Sequence, residues 1–386
     1  MRTNYRRSIE WARVDIAFIT VVALVGRVGY WMMSGTRTGG DTPTYTSTCE
    51  VWLSEPWLLP RIINAGFTIP FCLFTELLGL SWDLWIAVQI SLSTIACILI
   101  YSIASAHLDR IAGLVSGLSM AVLWDSFQWD IYILTDSLFV FAVTLALWAV
   151  SRHHRYQTRQ TYWTAWGTLI FVFLTRAHGF PIVAGWLLLD FLPRGHRYRL
   201  NLIPNPLYGI AVAMLGTGIL LTQYFEFLTG TIFQWYADGL LVWDSSMFQY
   251  PYALSEHTSP IAFVVFNIHH IILITMLRFV LIFVPVLPRW STIHNVANVG
   301  TLIPVLIGSF WGFIAMLRSR RDLFRLWAIP LVMLLITISL THVDWDWRYR
   351  APAAPMFSLL TGYAGWRLWH SGHVEFLKQL WPTTER

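Results

Sequence analysis

Residues 84–106 read LWIAVQISLSTIACILIYSIASA, a run without one acid or base. About 20 such residues in a helix cross the hydrocarbon core of a bilayer, so this stretch reads as a membrane span. Nine further apolar runs follow the same pattern: Val14–Met33, Ile111–Trp124, Ser137–Val150, Tyr162–Thr175, Phe180–Phe191, Pro204–Tyr224, Val296–Leu317, Leu323–Leu340 and Ala351–Trp369. The shorter ones must tilt or lie among neighbours.

Composition agrees. Of 386 residues, 56% are hydrophobic and 12% charged. A soluble domain carries about 25% charged residues, so this chain has too few charges to cover a water-facing surface. The 22 tryptophans suit bilayer interfaces, where an apolar ring and a polar N–H are both satisfied. The reading is one membrane domain over residues 1–386, with no separate soluble module. The Arg-rich start (Arg2, Arg6, Arg7, Arg13) reads as a signal anchor, because no small-residue cleavage pattern follows it.

A net charge of +5 raises the question of nucleic acid. The arginines fall between apolar runs and form no basic stripe, so they read as topology signals and nucleic acid is set aside. Four segments are Arg/His-rich: the N-terminus, Ser151–Arg159, Pro193–Arg199 and Arg318–Arg325. Placing all four in the cytoplasm requires an even number of crossings between them. Arg61–Leu80, interrupted by Pro70 and Glu76, is therefore expected to lie as a helix at the outer interface, within a first extracytoplasmic loop over residues 34–82. By the same count Pro260–Val286 is expected to make no net crossing. The fold expected is an all-α membrane bundle of about ten transmembrane helices with both termini cytoplasmic. The inner (plasma) membrane is the expected location.

The three cysteines, Cys49, Cys72 and Cys97, match no zinc spacing and no disulfide framework. Cys97 sits in an apolar run and reads as a small hydrophobe. A Cys49–Cys72 bridge is open to the chain on an oxidising side, but nothing in the spacing favours it.

The outer loops carry the candidate chemistry. Asp41 lies in Gly39-Gly40-Asp41-Thr42-Pro43-Thr44-Tyr45. It can accept a proton from an attacking hydroxyl, or it can start a short helix. Asp136, in Leu134-Thr135-Asp136, opens a span, where an ionisable group is costly and has either a job or a capping role. Asp125 and Asp130 read first as solvated interfacial carboxylates. Arg176, in Thr175-Arg176-Ala177-His178-Gly179, can snorkel or can hold a phosphate. The last outer loop, Thr341–Pro352, packs two acids, two arginines and three aromatic residues around His342, Trp345, Arg348, Tyr349 and Arg350. That density exceeds what an aromatic belt needs. The histidines show no ligand pattern, so a divalent metal is possible but not indicated. No Walker loop, dinucleotide fingerprint or serine elbow is present.

These motifs together resemble the GT-C class of multi-pass glycosyltransferases, with the pattern of the protein O-mannosyltransferases and lipid A aminoarabinose transferases. Those enzymes carry an acid in the first outer loop, then an interfacial helix, then Leu-Xaa-Asp opening the fourth span, and Arg-Tyr-Xaa-Xaa-Pro near the last. Asp41, Leu134-Thr135-Asp136 and Arg348-Tyr349-Arg350-Ala351-Pro352 match in that order. Thr175-Arg176 followed by Gly179 resembles the basic turn between the fifth and sixth spans. One departure is that Gly40 precedes a lone Asp41 where the family often has two adjacent acids.

The resemblance implies transfer of a sugar from a polyprenyl-phosphate donor to a lipid, glycan or protein hydroxyl on the extracytoplasmic face, by a single inverting displacement and without a required cofactor. Asp41 and Asp136 are the expected catalytic carboxylates. Arg176, Arg348 and Arg350 are the expected ligands of the donor phosphate. Tyr45, Asp130, His178, His342, Trp345 and Tyr349 are the expected substrate contacts. The rivals are a lipid-linked-sugar flippase or other transporter, which predicts charges along a path through mid-membrane, and a membrane acyltransferase or scaffold subunit. The clustering of charge at one face favours the enzyme.

Overall fold

The computed structural model describes residues 2–54, 64–191, 202, 236–239, 241, 260–286, 290–341 and 348–371. Among them the chain is helical and without strands. The helices are α1 (Arg2–Ser34), α2 (Thr42–Ser54), α3 (Ala65–Cys72), α4 (Trp82–His107), α5 (Arg110–Val122), α6 (Trp124–Phe127) and α7 (Thr135–Tyr156). They continue as α8 (Arg159–Thr175), α9 (Gly179–Phe191), α10 (Pro260–Leu281), α11 (Thr292–Ser319), α12 (Arg321–Thr341) and α13 (Ala354–His370). Among the described residues, six stretches are long and apolar enough to cross a membrane: Glu10–Ser34, Trp82–His107, Thr135–Tyr156, Ala262–Leu281, Thr292–Ser319 and Arg321–Thr341. The chain is an integral membrane protein.

Five of the six coincide with expected spans. The sixth, Ala262–Leu281, lies within Pro260–Val286, for which the charge count expects no net crossing, and has the length and composition to cross a membrane. Counting basic segments fixes only the parity of crossings between them, not which apolar runs make them. The expected spans at Ile111–Trp124, Tyr162–Thr175, Phe180–Phe191 and Ala351–Trp369 form shorter helices. Pro204–Tyr224 lies outside the described residues.

Helix ends follow local chemistry. Ser81 caps α4 by accepting from the Leu84 N–H at 3.3 Å, and Asp109 caps α5 by accepting from Ala112 at 2.9 Å. Both satisfy donors that the first helical turn leaves free. Close helix approach relies on missing side chains. A Cβ on Gly362 of α13 would meet Ser116 Oγ of α5 at 1.7 Å, and one on Gly312 of α11 would meet the Leu360 carbonyl at 2.0 Å. In a bilayer, where lipid gives no hydrophobic drive between helices, such small-residue contacts carry the packing.

Buried ion pairs tie the bundle at both ends. Arg27 of α1 is fully buried and donates from Nε to Asp130 at 3.0 Å and to Ser93 at 2.9 Å. Its Nη1 reaches the carbonyls of Ala23 and Ala121. Toward the opposite end, Arg110 grips Asp15 through two bonds of 2.6 and 2.7 Å. Neither charge in such a pair can be removed alone without stranding the other in a low-dielectric site.

The first loop is pinned to the bundle. Phe67, Phe71 and Phe74 of α3 and its continuation all pack on Trp85 in the first turn of α4, at ring distances of 5.4–5.8 Å. Cys49 of α2 and Cys72 of α3 form a disulfide. The spacing gave no reason to expect it; the pairing arises because α3 folds back beside α2. Closing a loop of 23 residues removes roughly 3 kcal/mol of chain entropy from the unfolded state. Cys97 is free and buried, as a small hydrophobe would be.

Candidate active site

The site is assembled where the first loop meets the start of α7. The Arg37 N–H donates to Ile131 at 2.8 Å and the Ile133 N–H returns to Arg37 at 3.0 Å, a short parallel pairing. Thr42 locks it further, donating its hydroxyl to the Ile133 carbonyl at 2.8 Å and accepting from the Gly39 N–H at 2.9 Å. Gly39 lies so close that a Cβ there would sit 2.9 Å from Leu134 Cδ1. The glycine thus serves approach between two loops. Asp41 follows, with its carbonyl accepting from Thr44 and Tyr45 in the first turn of α2. The helix-start and carboxylate roles weighed for Asp41 are therefore compatible, since the backbone does one and the side chain is left for the other.

The carboxylate of Asp41 pairs with Arg348 at 2.7 Å. Its side chain is 44% exposed and that of Arg348 13%. Arg348 comes from the 3₁₀ turn Arg348–Ala353, and its guanidinium lies 5.2 Å from the centroid of the Tyr349 ring. Arg176, at the turn between α8 and α9, sits 4.8 Å from the same ring and pairs with Asp136. His178 stacks on Tyr349 at 4.8 Å. One phenol ring thus gathers two guanidinium groups, each backed by a carboxylate, and an imidazole.

Tyr45 closes the inner side, 6% exposed, with its hydroxyl 3.5 Å from Thr135 Oγ1. Burial raises its phenol to about 12, outweighing the pull of Arg176, so it stays a neutral hydrogen-bonding group. Asp136 is 1% exposed, and its Oδ2 has no hydrogen-bond partner among the described residues. A buried anion whose second oxygen is unsatisfied is held mainly by Arg176.

Seven of the expected site residues therefore converge: Asp41, Tyr45, Asp136, Arg176, His178, Arg348 and Tyr349. Arg350 and Asp130 do not join them. Arg350 is 2% exposed and donates twice to Asp125 at 2.7 Å and twice more to the carbonyls of Ile282 and Val284. Asp125, read as solvated, is itself 1% exposed. Its carboxylate anchors Arg350, whose Nη1 in turn holds the carbonyls just beyond α10. Asp130, 1% exposed, is taken by Arg27 and by the Ser137 hydroxyl at 2.5 Å. Its backbone carbonyl also accepts from Gln89 at 3.0 Å. His342 and Trp345 lie outside the described residues. Sequence reasoning passed over Arg27, which holds the Asp130 segment behind the site. Its signal was a charge inside the apolar run Val14–Met33, and such a charge in a span calls for a partner.

No protein-family model matches the sequence, and no curated protein matches it. The three-dimensional structure is similar to the archaeal oligosaccharyltransferase AglB from Archaeoglobus fulgidus. In the complex of that protein with an inhibitory peptide and a dolichol-phosphate, the match has a TM-score of 0.51 at 14% identity and covers 97% of this chain and 52% of that one. In its complex with zinc and sulfate, the values are 0.51, 13%, 95% and 51%. In the apo form they are 0.53, 14%, 97% and 52%. The chain spans about half the length of these proteins. At such identity the likeness is one of fold alone.

Proposed function

We propose that this protein is a glycosyltransferase that moves a sugar from a polyprenyl-phosphate donor to a hydroxyl of a lipid, glycan or protein acceptor. The donor's phosphate would lie at the arginines around Tyr349 and its prenyl chain in the bilayer, on the extracytoplasmic side. One observation carries the reading: the partly open carboxylate of Asp41 stands 2.7 Å from Arg348 in a cluster whose other members are mostly buried. A carboxylate beside a guanidinium can serve both halves of one displacement.

The acceptor oxygen attacks the anomeric carbon as the bond from that carbon to the phosphate oxygen breaks. The acceptor proton passes to Asp41, and the bonding electrons leave with the phosphate. Configuration at the anomeric carbon inverts. Arg348 and Arg176 offset the charge that grows on the departing phosphate. A donor phosphate competes with Asp41 for Arg348, so donor binding frees the carboxylate to act as base. Asp136 holds Arg176 in place from the buried side, and Tyr45 and His178 shape the walls. Arg350 is left out of this scheme, because Asp125 and two carbonyls occupy its donors.

AglB has been captured with a dolichol-phosphate, and that supports a lipid phosphate as the group these arginines receive. It has also been captured with zinc. Here Asp41 and Asp136 are each paired with an arginine, and among the described residues no three His, Cys, Asp or Glu side chains come together as a metal cradle. No step of the proposed transfer is routed through a metal.

The test is incubation of the purified protein in lipid with a panel of labelled polyprenyl-phosphate sugars, followed by recovery of the labelled product. Transfer to a hydroxyl acceptor with inverted anomeric configuration is expected. Movement of intact donor across the bilayer, with no new glycosidic bond, would point to the flippase instead.

A further inference from the structure

The other end of α7 carries a second polar site. Asp136 and Arg155 are 19 residues apart on this helix, roughly 28 Å at 1.5 Å per residue, about the thickness of the hydrocarbon core. There, between the last turns of α4 and α7, lies an open cavity of about 130 Å³ lined by Ser102, His107, Trp148, Ser151, Arg152 and Arg155. It has room for several waters, or for one tetrahedral oxyanion. Among the described residues, no carboxylate lines it.

Its chemistry is that of an anion receptor at an interface. The guanidinium of Arg152 rests 5.2 Å from the Trp148 ring and 5.9 Å from that of Tyr156. Arg155 lies 5.5 Å from Tyr156 and donates to the Ala106 carbonyl at the end of α4. These ring contacts hold both cations without neutralising them. At the back, Ser151 is 2% exposed, and its hydroxyl has no hydrogen-bond partner among the described residues. A buried hydroxyl without a partner costs free energy, and a ligand oxygen would satisfy it. Tyr156 is 54% exposed, so the cavity mouth is flanked by an aromatic ring of the kind that sits at lipid headgroup level.

We propose that this cavity binds the phosphate of an anionic phospholipid from the leaflet opposite the candidate active site. The phosphodiester oxygens accept from Arg152, Arg155 and the Ser151 hydroxyl, and the acyl chains run into the bilayer beside the partly exposed Phe141, Leu145 and Trp148 of α7. The site is independent of the transfer reaction. A lipid bound there clamps α4 to α7, the helices whose other ends carry Gln89 and Asp136.

The experiment is native mass spectrometry of the full-length protein in neutral detergent, titrated with phosphatidylglycerol or phosphatidylcholine. Two basic side chains at about 1 kcal/mol each give a preference of roughly 30-fold for the anionic lipid. The R152Q/R155Q variant is expected to lose that preference, and S151A to weaken binding a few-fold. Equal retention of both lipids by the unaltered protein would overturn the proposal, whether or not the variants fold. So would undiminished phosphatidylglycerol binding in R152Q/R155Q. Displacement of the lipid by inorganic phosphate at matched concentration would assign the cavity to a soluble oxyanion and remove the lipid from it.

Discussion

Replacing Arg350 by Gln strands a carboxylate. Arg350 makes four hydrogen bonds, two to Asp125 and two to the carbonyls of Ile282 and Val284, and both charged residues are at most 2% exposed. Removing one partner of such a pair costs about 3–5 kcal/mol, most of it the penalty of the abandoned charge. The ratio of folded to unfolded protein then falls by more than about a hundred-fold. Arg348→Gln, two residues away, breaks a pair whose carboxylate is 44% exposed, and solvent holds that loss to about 1 kcal/mol or less. The two substitutions therefore separate by assay. Thermal unfolding in detergent, followed by tryptophan fluorescence, should show R350Q strongly destabilised and R348Q near the parent protein. Transfer activity per folded molecule should fall about 10²–10³-fold in R348Q, the loss seen when one group stabilising transition-state charge is removed. Adding Asp125→Asn to R350Q should return part of the lost stability. An R350Q protein as stable as the parent, defective only in donor binding, would refute this division and restore Arg350 to the phosphate site.

Cys49→Ser should cost roughly 3 kcal/mol from lost loop closure, and intact-mass analysis with and without reductant should find the bond in the parent protein. Gly39→Ala pushes a Cβ to 2.9 Å from Leu134, so a loss of about 1–3 kcal/mol is expected, relieved when Leu134 is trimmed to Ala in the same protein. The Tyr45 phenol is raised from 10.0 to about 12 by burial. Its contribution to stability is intact below pH 10 and lost as pH rises toward 12, and Tyr45→Phe should make the alkaline limb of the stability profile shallower.

The site was legible because the chain is so apolar. Asp41, Asp136, Arg176 and Arg348 stand out against their surroundings, and each falls at the same end of a span once crossings are counted. Common placement at one end is enough to bring residues 300 positions apart into one cluster. The difference between Arg348 and Arg350 was not legible. Residues two apart in a turn of three residues point in different directions, so one faces Asp41 and the other the core, a distinction that depends on the local winding. Asp125 and Asp130 were misread for a related reason. Beside tryptophans they look interfacial, but their partners, Arg350 and Arg27, come from distant segments and carry them inside. The Cys49–Cys72 bond was not legible because it depends on how α3 folds back.

The most direct trial is a single-turnover measurement with donor-saturated Asp41→Asn protein. Asn keeps the shape of the side chain and cannot take the acceptor's proton. Normal folding, retained donor binding and a chemical step slowed by about 10²–10⁴-fold are expected. A folded Asp41→Asn protein that forms the glycosidic bond at the parental rate would show that the proton goes elsewhere, and the assignment of this cluster as the reacting centre would fall with it.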